Sequence, residues 1–528
     1  MDDSGALIIF GLMLFVLMMM MGGIAVDVMR YESRRTSLQN TLDRSTLAAA
    51  ALNQSLDPRT VVDDYFLKAG LADFLTSVTV TQGLNFREVK ATALADTNPM
   101  FLHMLGIEQF NAPGASTAEQ RVNNVEVMLV LDVSGSMASD NKLTNLQTAA
   151  KAFVSTVLGN DPDHKISIGL VPFNGQVNLG STLASEFNTV YPSGATDVNC
   201  VDLPDSAYDS TTISQYAYAT SVAPLSLSMT ADADTYSSYS GGSSPNDANK
   251  WCPPKPTNIV RLPSQSISDL QGYLGHLTAV GATSINAGMK WGLGLLDPSS
   301  RGIYTHLIST GALDSNLAGR PFEYDDKEAM KVIVLMTDGE HFAEERVNDP
   351  YKSGLSPIWK GNDGNYSIYH STVSGSNKYY VQHKGTWQST PWKNSNNNGA
   401  AAVQQTWPQV WDAMKLSYVA YYYYGVPLGG SSSSSRNSIY KSMMNDMKSL
   451  SRTSDMDDQL QSVCSQAKAQ NVIVYGIAFQ APTNGQTQIR NCSTDGENGS
   501  HYFNAQGLQI STAFAAIANN ISQLRLTQ

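Results

Sequence analysis

Charge is scarce in this chain. Only 15% of its 528 residues are Asp, Glu, Lys or Arg, and 34 basic residues face 46 acidic ones for a net charge of -12. A nucleic-acid partner needs a concentrated basic face, so that class of partner is excluded. Uncharged polar residues fill much of the surface instead, which fits a protein outside the cytoplasm. Cysteine is also sparse: Cys200, Cys252, Cys464 and Cys492 are the whole set, and none forms a C-x-x-C pair of the metal-binding kind. Neither H-E-x-x-H nor G-x-S-x-G occurs, and no general base is paired with a nucleophile, so the expectation is that the protein is not an enzyme.

One long stretch lacks charge altogether. Gly5 to Val26 carries none across 22 residues, and as a helix it would rise about 33 Å, enough for the hydrocarbon core of a bilayer. It exceeds the apolar region of a cleavable signal peptide and ends in no A-x-A site, so it reads as a retained anchor. Arg30, Arg34, Arg35 and Arg44 follow it, and by the positive-inside rule they would hold the rest of the chain in the cytoplasm. The cysteines point the other way. Four permit three pairings. The nearest-neighbour set, 200 with 252 and 464 with 492, would close loops worth about 3 to 4 kcal/mol each, and such bonds persist only outside the reducing cytoplasm. Four free buried thiols are the alternative. Large domains translocate despite flanking charge, so the cysteines decide: a single-pass membrane protein with its C-terminal part outside the cytoplasm.

Chemistry concentrates at Asp132-Val133-Ser134-Gly135-Ser136, directly after the apolar run from Val125 to Leu131. A buried strand ending this way projects a carboxylate and two hydroxyls from one turn. Hard oxygen donors suit Mg2+, with Mn2+ or Ca2+ also possible, where zinc or copper would want His or Cys. Gly281-Ala282-Thr283 offers a third hydroxyl ahead of a helical pattern, and the apolar run from Lys331 to Met336 leads into Thr337-Asp338-Gly339. Ligands in open α/β sheets sit at the carboxyl ends of the strands, so Asp132, Ser134, Ser136, Thr283 and Asp338 are expected at one sheet edge. His341, just beyond, reads as a solvated loop histidine and is assigned no role. In this order the five residues resemble the metal-ion-dependent adhesion site of the von Willebrand factor type A domain, a D-x-S-x-S followed by a T and then a D. The resemblance implies adhesion: neutral hydroxyls leave the ion's charge partly uncompensated, and a partner's Asp or Glu completes its shell.

The rest of the chain divides by pattern. Residues 1-55 are the anchor and a long helix continuing from it, with apolar or small residues at Val28, Tyr31, Leu38, Leu42, Thr46 and Ala49. Residues 56-120 form a small pilin-like α+β region. Alternation from Val61 onward predicts strands, Gly83-Leu84-Asn85 a hairpin turn, and the Asn111 to Ser116 segment a linker. Residues 124-528 alternate strand and helix, which predicts an α/β fold: a mostly parallel, Rossmann-like sheet of about six strands with helices on both faces. Two insertions interrupt it, at about 180-262 and 341-455. The second holds five of the seven tryptophans and the run Tyr421 to Tyr424. Their aromatics read as packing for segments poor in charge, with a contact surface as the alternative, and Gly429-Gly430 with the five serines after it reads as a flexible tip.

Several phrases together resemble TadG-type proteins of the bacterial tight-adherence (Flp) pilus system: the anchor followed by Asp27-Val28, then Leu38-Gln39, Asp43 and Leu47-Ala48-Ala49-Ala50, and later Gly169 to Asn174, Trp291 to Pro298 and Val334 to Gly339. Relatives usually carry basic residues before the anchor, where this chain has Asp2 and Asp3. The resemblance implies a membrane-anchored protein that assembles or anchors the pilus, whose partner, another assembly component or a pilin, offers an exposed carboxylate to the metal site. Two rival functions remain: a surface adhesin gripping host protein or glycan through the insertions, and a type A assembly factor working with an ATPase.

Overall fold

A computed structural model of the chain describes residues 4–51, 54, 56–82, 86–121, 124–162, 164–190, 199–213, 227–236, 238–326, 328–394, 401–495 and 500–522. The expected hairpin turn at 83–85 lies outside them. The chain divides into two compact units, Met1–Asn123 with Gln523–Gln528, and Asn124–Ser522.

In the smaller unit, helix α1 (Ser4–Ala50) runs 47 residues without interruption. By length and composition it is able to cross a membrane. From Leu7 to Met21 every side chain is exposed, whereas Leu38, Leu42 and Ala49 are buried. One helix thus changes partners along its length. Helix α2 (Pro58–Lys68) corrects the alternation expected from Val61: Asp57 caps it by accepting the Thr60 amide, Pro58 opens it, and Val61, Val62 and Phe66 face inward. Strands β1 (Leu75–Gln82), β2 (Phe86–Thr97) and β3 (Phe110–Arg121) form an antiparallel sheet in that order.

Strand β3 is the segment expected to be a linker. Pro113 pairs opposite Leu94 on an edge strand, where a missing N–H is tolerated. Gly114 lies under α1, and a Cβ there would sit 2.7 Å from Leu42 Cδ1. Small residues that read as a linker are what lets the helix settle on the sheet, opposite the buried row Val89, Ala91, Ala93 and Ala95 of β2. Gly114→Val is therefore expected to cost about 1–3 kcal/mol, seen as faster hydrogen exchange of the β2 and β3 amides in the full chain. Unchanged protection would show that α1 does not lean on this residue.

The larger unit is built on a six-stranded sheet. Its strands are β4 (Asn124–Asp132), β5 (Ile166–Phe173), β6 (Arg261–Ser264), β7 (Ala329–Thr337), β8 (Ile473–Phe479) and β9 (Tyr502–Ala505), in the order β9-β8-β7-β4-β5-β6. All neighbours run parallel except β6, which pairs antiparallel to β5. Strands β4, β5 and β7 are buried almost throughout, as their unbroken apolar runs require. Within this apolar layer Lys331 on β7 pairs in register with Glu126 on β4, 2.5 Å apart. Helices α3 (Lys142–Gly159), α4 (Ile267–Leu274), α5 (Ile285–Leu296), α6 (Thr453–Ala469), α7 (Thr483–Cys492) and α8 (Gln509–Ser522) connect or flank the strands. Helices α3 and α8 pack together, with Phe153 edge-on to Phe514, while α5 packs on α6.

The described residues of both insertions form regular elements and buried clusters. Cys200 is bonded to Cys252 and Cys464 to Cys492. The second insertion contains a five-stranded antiparallel sheet, with Leu355–Lys360 paired between Tyr366–Tyr369 and Val403–Thr406. Trp407, Trp411, Tyr380 and Tyr423 are buried together in it, and Ala231 and Ala233 of the first insertion join the same cluster. Tyr351, Tyr366, Trp387 and Tyr418 pack half-buried against it, while Tyr369 and Phe342 are exposed, so the aromatics divide between core and surface. The expected flexible tip is instead a helix start: Ser432 accepts the Ser435 amide and caps the helix Ser433–Met447, a position serine favours.

Candidate functional site

Strand order reverses between β4 and β7. The chain goes from β4 outward through β5 to β6, then returns to β7 and goes out the other way through β8 to β9, which leaves a crevice at the carboxyl ends of the two central strands. Asp132 is the last residue of β4, and Asp338 follows the last residue of β7. The reversal therefore brings together two carboxylates 206 positions apart in sequence, as 338 minus 132.

Each predicted residue has a defined place there. The Asp132 carboxylate is buried and oriented from two sides: the Ser134 amide donates to Oδ1 at 2.8 Å and the Thr337 hydroxyl to Oδ2 at 2.6 Å. Ser134 Oγ and Ser136 Oγ are 3.0 Å apart, and Ser136 donates to Asp338 Oδ1 at 2.6 Å. Thr283 arrives on a loop stitched to the turn after β4, where Val280 donates to the Val133 carbonyl and Gly135 to the Gly281 carbonyl, each at 2.9 Å. Gly281 takes φ +85° to make that turn, a backbone region L-residues avoid. The Thr283 hydroxyl then lies against Gly339, where a Cβ would be 3.6 Å from it. Asp132, Ser134, Ser136, Thr283 and Asp338 thus share one end of the sheet.

Three further side chains complete the arrangement. Lys142 opens α3, and its ammonium donates to Asp338 Oδ2 at 2.9 Å. A cation at a helix start opposes the helix dipole, so Asp338 and not the helix accounts for its placement. Thr337 aligns Asp132, and its hydroxyl in turn accepts the Gly339 amide at 3.1 Å. His341 corrects the expectation of a solvated loop residue: it is 4% exposed, its Nε2 accepts the Asn286 amide at 3.0 Å, and its Nδ1 lies 2.7 Å from Asp457 Oδ1. Accepting an amide at Nε2 requires the neutral ring with the proton on Nδ1, and burial holds its pKa below the usual histidine range. The ring ties the first turn of α5 and helix α6 to the loop after Asp338. Phe342 beside it donates to the Thr283 carbonyl at 3.0 Å. None of these roles was visible in sequence, because Lys142, His341 and Asp457 carry no motif.

Charge at this site is unbalanced. Burial first, and then the negative charge of Asp338, push the Asp132 carboxyl up to about 7, and one ammonium faces two acids. Among the described residues no three His, Cys, Asp or Glu side chains cluster as a metal site; the donors here are two carboxylates and three hydroxyls. That all-oxygen set with its excess negative charge fits a hard divalent cation. Gly281 and Ala282, just before Thr283, also wall a cleft of about 160 Å3 with Tyr236, Trp251 and Phe342. Tyr236 and Phe342 are 60% and 43% exposed, respectively, so aromatic surface borders the site.

Residues 5–52 match the family described as "Putative Flp pilus-assembly TadE/G-like". No curated protein matches the chain. Among solved structures, the chain is similar to the vWF domain of the type V pili tip protein Mfa5 from Porphyromonas gingivalis, at 13% identity and a TM-score of 0.30 over 76% of this chain and 96% of that one. It is also similar to the pilus adhesin SpaC from Lactobacillus rhamnosus GG, at 12% identity and 0.29 over 84% of this chain, and spans only 33% of that adhesin's length. The adhesive tip pilin GBS104 from Group B Streptococcus agalactiae gives 10% and 0.28 over 75% of this chain and all of that one.

Proposed function

We propose that the protein is a membrane-anchored component of a Flp (Tad) pilus system, and that its larger unit is a von Willebrand factor type A domain that binds a partner's carboxylate through a divalent cation, Mg2+ in the first instance. The observation that carries this reading is the meeting of Asp132, Ser134, Ser136, Thr283 and Asp338 where the strand order reverses. The family match over residues 5–52 supports the pilus setting, and two disulfides support an extracytoplasmic location for the larger unit.

A divalent cation at this site would supply an electrophilic point that accepts an acidic side chain from outside. The chain's own residues do the rest. Ser134 and Thr337 hold Asp132 in position, Ser136 aligns Asp338, and the Gly281 turn carries the third hydroxyl. Lys142 neutralises Asp338 and is the group a cation would displace. Tyr236 and Phe342 favour a partner whose carboxylate is flanked by an apolar side chain. These groups bind and orient, and the reading assigns the protein no catalytic step.

The test is capture. The tagged full chain, extracted from its membrane in detergent, is expected to retain pilus-assembly components or pilins in Mg2+ and to release most of them in EDTA. Retention indifferent to EDTA would overturn the metal-dependent contact. Normal piliation in a deletion strain that no longer attaches to surfaces would replace the pilus role with that of an adhesin.

A further inference from the structure

The smaller unit carries an apolar loop at one end. Residues 98–109 join β2 to β3 beside the start of the soluble part of α1: Tyr31 of α1 packs its ring 5.4 Å from that of Phe110. The opposite end of the sheet lies at the far end of α1, where Arg87 donates to the Ala51 carbonyl at 2.7 Å. The unit is therefore laid out along α1, with the 98–109 loop at the end nearest the apolar run.

The loop is built around a buried carboxylate. Asp27 is the first charged residue after that run, and it accepts the backbone amides of Met100, Phe101 and Leu102 at 2.9, 2.7 and 2.9 Å. The amides of Met104, Gly106 and Ile107 donate to carbonyls within the loop. Phe101 lays its ring on Gly23, where any Cβ would overlap it. Leu102 is buried, whereas Met104 is 82% exposed and Met100 66%, with Ile107 beside them.

Depth gives this surface its meaning. At 1.5 Å per residue, Gly23 lies about 4–5 Å to the membrane side of Val26, where the uncharged run ends. A loop packed on Gly23 is level with the last turn of the span. Backbone at such a level must satisfy its amides internally, and here Asp27 and the loop's own carbonyls do so for the six amides named above. Methionine, phenylalanine and isoleucine at that level gain by entering the boundary between headgroups and acyl chains.

We propose that the 98–109 loop is a second membrane contact, a foot whose Met100, Phe101, Met104 and Ile107 enter the lipid interface next to α1 and set the smaller unit upright on the bilayer. The proposal rests on reading α1 as a transmembrane anchor and is independent of the metal site. Asp27 is then the hinge pin between span and foot, and the span alone does not fix the height of the unit.

Spin-label accessibility tests it in the full chain reconstituted into phosphatidylethanolamine–phosphatidylglycerol vesicles. All four native cysteines are in disulfides, so a single introduced thiol is labelled cleanly. Labels go on Met104→Cys, on Val16→Cys within the span, and on Gln82→Cys at the far end of β1. The expected ratio of oxygen to water-soluble nickel-chelate collisions at position 104 is several-fold above that at 82 and below that at 16. A label at 104 as open to nickel as the one at 82, with 16 still in lipid, overturns the foot and leaves the anchor standing. Protection at 104 from both reagents also overturns it, since protein and not lipid would then cover the loop. If 16 is itself open to nickel, the anchor reading fails and the foot with it.

Discussion

Asp132→Ala is expected to weaken Mg2+ binding by about a hundred-fold or more, roughly 3 kcal/mol, while Lys142→Met strengthens it by about ten-fold. Asp132 supplies one of only two carboxylates among the five donors, and for a hard cation the number of charged ligands sets much of the affinity. Lys142 acts in the opposite direction, because its ammonium already holds Asp338 Oδ2 and a divalent ion must displace it against charge repulsion. The opposite signs separate a metal site from a general loss of structure, which would weaken binding in both variants. Isothermal titration of the purified full chain measures both. Thermal unfolding supplies an independent check. The folded-state pKa of Asp132 is raised from an ordinary 3.8 to about 7, so its contribution to stability is fully present below about pH 4 and is lost as pH rises towards and through 7. In EDTA the native chain should therefore lose stability across that window. Mg2+ should abolish the loss, and Asp132→Ala should lack this part of the pH dependence. Equal Mg2+ affinity in the native chain and in Asp132→Ala would falsify the proposed ion site.

Gly485→Ala should destabilise the larger unit by about 2–4 kcal/mol, although alanine for glycine within a helix ordinarily stabilises by up to about 1 kcal/mol. Gly485 lies in α7, and a Cβ there would overlap the carbonyl oxygen of Gly339 and lie 3.0 Å from its carbon. The Gly339 loop has little room to retreat, since Thr337 Oγ1 accepts its amide and His341 is held by Asn286 and Asp457. The same push would shift Asp338, so Mg2+ affinity should fall together with the unfolding midpoint. Gly272→Ala in α4 is the matched control, because a Cβ there meets nothing within 4 Å, and it should be neutral or slightly stabilising. A midpoint raised in both variants would show that the close approach of α7 to the metal loop does not matter.

Much of the architecture is legible in the residues. The runs from Val125 to Leu131 and from Lys331 to Met336 are short, apolar and rich in valine, as buried strands are, and they appear in β4 and β7. Helix α5 begins at Ile285, just beyond the Gly281-Ala282-Thr283 segment expected to precede a helical pattern. Elsewhere local composition competes with tertiary contact. The Asn111 to Ser116 segment has the small residues and proline of a linker, yet those properties let α1 lie on an edge strand. Ser431 to Ser435 has the composition of a flexible tip, yet serine is also a good helix cap. His341 looked solvated because nothing near it in sequence shows Asn286 and Asp457, respectively 55 and 116 positions away.

The amino-acid sequence alone determined the uncharged span, the buried strands and the five oxygen-bearing residues, because each is a property of residue type and of spacing within a few positions. Tertiary structure decided what those residues do together. Only the reversal of strand order brings Asp132 and Asp338 to one crevice, sets Lys142 against them and folds His341 underneath. Only the return of the 98–109 loop onto Gly23 gives Asp27 three amides to hold. Such placements depend on contacts between positions far apart in the chain, where no local pattern records which groups meet.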